Sequence, residues 1–128
     1  MTAVMGFLAV GIGAALGAWA RWGLSAALNK MVPLLPLGTL ASNLIGGYLI
    51  GIAIGFFLQH ALLPAEWRLF VITGFLGGLT TFSTFSGEAV ELLIRQEYGW
   101  ATLLIASHLA GSIALTLLGL YTMRSLSA

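Results

Sequence analysis

Residues Gly77 to Glu88 read GGLTTFSTFSGE. Two glycines lead into a run of hydroxyl side chains punctuated by Phe82 and Phe85, all inside a long apolar segment. Hydroxyls and irregular backbone are costly in hydrocarbon unless each polar group finds a partner. Whether this stretch is a soluble turn or an interruption of a membrane span decides the fold, and the rest of the chain settles it. The 128 residues are 59% hydrophobic and 7% charged, with a mean hydropathy of +1.03. A soluble domain carries about a quarter charged residues. A soluble helical bundle would also need a polar outer face that these apolar runs do not provide. The chain reads as an all-α integral membrane protein, and the stretch interrupts one of its spans.

Four spans are expected, over about residues 4–24, 38–58, 67–94 and 100–123, forming one four-span domain over residues 1–128. Each supplies the ~20 apolar residues that cross a bilayer core. Ala18-Trp19-Ala20 imitates a signal-peptidase site, but no Lys or Arg precedes the apolar run and the run exceeds a usual signal core. It is therefore read as the first span. Trp22, Trp67, Tyr98, Trp100 and Tyr121 fall near the expected interfaces. Gly13 and Gly17, and then Gly47, Gly51 and Gly55, repeat every four residues, a spacing that lets helices approach closely in lipid. With no cysteine there is neither a disulfide framework nor a thiolate metal site. The net charge of +1 and the lack of a Lys/Arg-rich arm give no footing for nucleic acid.

Charge flanking the spans is nearly balanced. Arg68 and Arg124 fall on one side, Lys30 and Arg95 on the other, joined there by Arg21 if it snorkels that way. So small a bias gives no firm orientation by the positive-inside rule. Either a partner fixes topology, or the chain inserts both ways and assembles as an antiparallel, dual-topology homodimer. In such a dimer the twofold axis lies in the membrane plane, and the middle of a span meets its own inverted copy. The midpoint of Trp67 to Arg95 is about Thr81, inside the opening stretch.

A straight helix from Trp67 to Arg95 would be about 42 Å long, against a hydrocarbon core of ~30 Å. It must tilt or break, and Gly77-Gly78 followed by Thr80-Thr81 favours a break near the midpoint. Freed carbonyls from two inverted copies would converge into a cage for a small cation; a hydroxyl-rich kink used only for packing is the bland reading. Phe82 and Phe85 are three residues apart on one helical face and offer electropositive ring edges. Ser83, Thr84 and Ser86 add hydroxyl donors, and Asn43 adds a carboxamide with two N–H groups. His108, Ser112 and Thr116 form a polar stripe at four-residue spacing on the fourth span. Singly each has an ordinary packing role. Together they make a donor-rich, weakly charged path suited to a small anion that must shed water without being trapped. Arg21 either snorkels or draws anions to a vestibule, and Glu88 is either a solvated acid or a gate at a pore mouth.

With these residues assembled, the chain resembles the Fluc-type (CrcB) fluoride channels over essentially its whole length. The landmarks are Gly17-Ala18-Trp19-Ala20-Arg21, Gly38-Thr39-Leu40-Ala41-Ser42-Asn43 and, most specific, Gly77-Gly78-Leu79-Thr80-Thr81-Phe82-Ser83-Thr84-Phe85. The resemblance implies passive fluoride export across the bacterial plasma membrane by a dual-topology homodimer with two pores. It implies a structural sodium ion, not transported, on the Gly77 and Thr80 backbone carbonyls. It implies pores lined by Asn43, Phe82 and Phe85, with Thr39, Ser83, Thr84, His108, Ser112 and Thr116 along or near the path. Leu104, one turn before His108, is apolar where a longer polar stripe would continue, which leaves the outer end of that track open.

A small multidrug-type exporter is the main alternative, but it needs a carboxylate in its first span, where this chain has Arg21 and no Asp or Glu. A non-conducting helical subunit would explain the glycines and leave the polar path without a purpose. An enzyme is not expected: no carboxylate cluster or nucleophile–base pair is visible.

Overall fold

A computed structural model describes residues 2–127. Four helical segments are long and apolar enough to cross a membrane, namely Ala3–Met31, Leu37–Gln59, Ala65–Ile94 and Tyr98–Ser127. The chain is a multi-pass membrane protein. Helix α1 (Ala3–Leu28) opens on Thr2, whose Oγ1 accepts the Met5 amide at 3.2 Å. A single 3-10 turn, Asn29–Met31, and the prolines Pro33 and Pro36 then reverse the chain. Helix α2 (Leu37–Gln59) has no capping side chain of its own at Pro36. Asn29 caps it from outside, its Oδ1 accepting the Gly38 and Thr39 amides at 2.7 and 3.2 Å.

The third span comes in pieces. Its first arm is α3 (Ala65–Arg68), a π-helical stretch Leu69–Leu76 and the single turn α4 (Gly77–Leu79). Thr80 and Thr81 are extended, with φ/ψ of −88°/156° and −148°/122°. Helix α5 (Phe82–Ile94) forms the second arm. It ends in a Schellman turn: Gln96, at φ 58°, donates to the Leu93 carbonyl and Glu97 to that of Leu92. Helix α6 (Tyr98–Ser127) completes the chain. The expected break lies near mid-span as anticipated, but the two glycines stay helical and the two threonines form the gap.

Lipid offers no hydrophobic force to press helices together, so close backbone approach takes its place. The most extensive contact is α2 on α6. There a Cβ on Gly51 would drive into the Thr116 carbonyl and one on Gly119 into that of Tyr48. Helix α1 meets the first arm in the same way. Cβ atoms on Gly13, Gly17 and Gly78 would strike the Phe70, Phe75 and Ala14 carbonyls respectively. The apolar core is correspondingly small and divides into two clusters, one of Ala53, Phe57, Leu76 and Leu79, the other of Phe85, Ala89, Leu92, Ala101 and Leu104. Large apolar side chains such as Phe7, Ile12, Trp19, Ile113 and Leu117 face outward, as lipid contact requires.

Candidate functional site: the third-span break and its polar groove

An interrupted helix leaves carbonyls at the end of one arm and amides at the start of the next. Each group at this break can be followed to its partner. The Thr80 N–H and its Oγ1 both donate to the Leu76 carbonyl, at 3.0 and 2.8 Å, closing the first arm. Thr81 Oγ1 accepts the Thr84 amide at 3.1 Å and caps α5. The backbone of Thr81 itself is held from α2. Asn43 Oδ1 accepts the Thr81 N–H at 2.8 Å, and Asn43 Nδ2 donates to the Thr81 carbonyl at 2.9 Å. One carboxamide thus serves Thr81 as a neighbouring strand would.

The second Asn43 N–H points at His108 Nδ1, 3.0 Å away. Because that amide nitrogen can only donate, Nδ1 must accept, and the neutral ring carries its proton on Nε2. His108 is 4% exposed, and its Nε2 is buried with no hydrogen-bond partner among the described residues. The Phe85 ring lies 4.6 Å from the imidazole, centroid to centroid, and meets the Phe82 ring edge-on at 5.7 Å. The two phenylalanines differ sharply in burial, Phe85 at 8% exposure and Phe82 at 75%.

These groups line one groove of about 410 Å³, together with Gly77, Thr80, Ser112 and Thr116. Six of the residues picked from sequence for an ion path meet there: Asn43, Phe82, Phe85, His108, Ser112 and Thr116. Thr116 Oγ1 is spent on the Gly47 and Ser112 carbonyls, both at 2.9 Å, while Ser112 Oγ reaches the Leu109 carbonyl at 3.3 Å. Ser83 and Thr84 lie exposed on the first turn of α5, with Ser83 Oγ 3.5 Å from Thr81 Oγ1. Thr39 is fully buried away from the groove wall and donates to Glu88 Oε2 at 2.7 Å. The other Glu88 oxygen is buried without a partner among the described residues. Leu104, 0% exposed, packs with Phe85 in the α5–α6 core. The polar stripe therefore stops at His108 on that side. A second hollow, about 640 Å³ and bounded by Phe56, Phe57, Trp67 and Phe75, is apolar and carries none of these groups.

Electrostatically the break sets two helix ends back to back. The carbonyl end of the first arm favours a cation, and the amide end of α5 favours an anion. Gly77 and Thr80 are two of the carbonyls that the break releases. Their helical donors would be the Thr81 and Thr84 amides, which Asn43 and the Thr81 hydroxyl have taken. Gly78 loses its helical donor too, but Arg21 Nε donates to its carbonyl at 3.0 Å. Arg21 thus turns inward to the break instead of snorkelling. Sequence reading named Arg21 and missed this role. The signal was its place four residues after Gly17 on the α1 face that packs against the arm.

Residues 8–120 match the family described as CrcB-like protein, Camphor Resistance (CrcB). This chain belongs to the CrcB family. Relatives of this CrcB chain include a protein of Cupriavidus pinatubonensis named fluoride-specific ion channel FluC, 64% identical over 96% of this chain and 98% of its own length. Proteins carrying the same name in Ralstonia pickettii and Burkholderia pseudomallei are 63% and 59% identical, covering 96% and 92% of this chain and 98% and 92% of their own lengths.

Proposed function

We propose that this CrcB chain is a fluoride-selective channel that lets fluoride leave the cell down its own gradient, as the names of its relatives indicate for them. The observation that carries the reading is the groove at the break. The Phe82 and Phe85 rings, the Asn43 carboxamide and the neutral His108 imidazole line it, and none of the described residues that do so carries a cationic side chain. A small dehydrated anion meets donors and ring edges there without a full positive charge to trap it. The bacterial plasma membrane and an antiparallel homodimer belong to the same reading. The near balance of flanking charge supports dual insertion, and the groove's exposed Phe82 gives a second copy a surface to complete.

A structural sodium ion fits the chemistry of the break. The Gly77 and Thr80 carbonyl oxygens have lost their helical donors, and hard oxygen ligands suit a hard cation. Paired with the same two oxygens of an inverted copy, they would hold it and neutralise the carbonyl ends of both first arms. Asn43, Phe82, Phe85, His108, Ser112 and Thr116 form the pathway wall in this scheme. Thr39, Ser83 and Thr84 flank it, and Glu88 lies toward one mouth.

Purified protein in liposomes, read with a fluoride electrode, tests the function directly. Release of trapped fluoride well above protein-free vesicles is expected, and transport of an organic cation with no fluoride release would sink the proposal. Phe82→Ile should slow release severely while leaving the folded protein intact, because Phe82 is mostly exposed in the chain. A C-terminal cysteine should be labelled from both faces of the membrane; labelling from one face alone would refute dual topology.

A further inference from the structure

Arg21 carries a charge about 10 Å inside the end of α1, at ~1.5 Å for each of the seven residues to Leu28. Such a position is costly for a guanidinium and calls for a use. Its one hydrogen bond among the described residues runs through Nε to the Gly78 carbonyl, at 3.0 Å. Three facts make this contact specific. Gly13, Gly17 and Arg21 form a four-residue stripe on α1, and the two glycines bring α1 into backbone contact with the first arm. Gly78 is pinned in turn, since a Cβ there would strike the Ala14 carbonyl. Finally, a continuous helix would satisfy Gly78 with the Phe82 amide, which the break has carried into the start of a new helix.

We infer that Arg21 is a positioning residue for the conduction pathway: its Nε–H replaces the lost Phe82 amide and latches the end of the first arm to α1. Two helices then hold the two sides of the break, α2 through Asn43 on Thr81 and α1 through Arg21 on Gly78. The Gly77 carbonyl, one residue before the latch, stays in its freed position because its neighbour cannot rotate away. The positive charge, in this account, is secondary. What the site needs from Arg21 is a donor at the fourth atom beyond Cα. The inference rests on the channel reading for its functional readout.

Side-chain chemistry separates a latch from an electrostatic lure. Glutamine places an amide N–H at the atom where arginine has Nε, without charge. Lysine keeps the charge but has a carbon there, and methionine keeps the bulk with neither. Wild type, Arg21→Gln, Arg21→Lys and Arg21→Met are compared in liposomes for fluoride release. Hydrogen exchange of the peptide covering Gly77 to Thr81 is followed in the same preparations. The latch predicts Arg21→Gln within about twofold of wild type, and Arg21→Lys and Arg21→Met slower by about tenfold, the worth of one lost bond to a buried carbonyl. Exchange at the break should rise in the two slow variants only. Wild-type rates in Arg21→Lys with a slow Arg21→Gln would establish the lure and overturn the latch. Equal rates in all four proteins, or equal slowing in all three variants, would overturn it as well. If Arg21→Met does not assemble, the contrast between Arg21→Lys and Arg21→Gln decides alone. A wild-type protein that releases no fluoride would instead refute the channel reading, while the exchange data would still report on the latch.

Discussion

The α2–α6 seam and the third-span break solve the same problem, cohesion in a solvent that does not drive helices together, by opposite means. Along the seam the backbones touch: Gly47, Gly51 and Gly119 leave no room for a Cβ, and both helices keep their own hydrogen bonds. At the break, backbone bonds are given up and side chains from α1 and α2 replace them. The first device is rigid and chemically silent. The second leaves polar groups unspent, namely the Gly77 and Thr80 carbonyls and His108 Nε2, and so creates chemistry at membrane depth. The seam fixes α6, which brings His108 to Asn43. The quiet region thereby places the active one.

The two can be broken separately. Gly51→Leu should have the largest effect. Its side chain would have to occupy the space of the Thr116 carbonyl and the Leu120 amide, so α2 and α6 must part. A loss above about 3 kcal/mol is expected, read as failure to recover folded protein after detergent extraction and size exclusion. Asn43→Ala should be milder for the fold and harsher for function. It strips two partners from Thr81 and one from His108, at about 1–3 kcal/mol for each buried group left unsatisfied. Folded protein with a lowered unfolding midpoint and severely reduced fluoride release should result; unchanged release would remove Asn43 from the pathway.

The smallest change sharpens the contrast at the far end of α5. Gln96 adopts φ 58°, a conformation glycine takes without strain. Gln96→Gly should stabilise the protein by up to about 1 kcal/mol, seen as a raised unfolding temperature, with fluoride release unchanged. A change in release would mean that the break senses the end of α5, and the separation drawn here would fail.

Much of this architecture is legible in the residues. Apolar runs of bilayer length fix four helices, because in lipid the backbone must satisfy itself. The glycine spacings mark both tight seams, and the midpoint of the third span marks the break. The groove was legible as a set of types, an amide, two phenylalanines and a stripe of His, Ser and Thr. It was not legible as a geometry. Phe82 and Phe85 share a helical face, yet one is exposed and the other buried, because only Phe85 packs against α6.

By itself, the sequence determined a four-span membrane protein with a hydroxyl-rich interruption at mid-span, since length, hydropathy and spacing are local properties. Tertiary structure alone decided where the freed groups of that interruption go. It gave both Asn43 amide protons to partners, turned Arg21 inward, and tied Thr39 to Glu88 across 49 positions of sequence. One cause underlies all three. A polar group in hydrocarbon must be satisfied by whichever donor or acceptor the packing brings within about 3 Å, and that neighbour is chosen by the fold, not by adjacency in the chain.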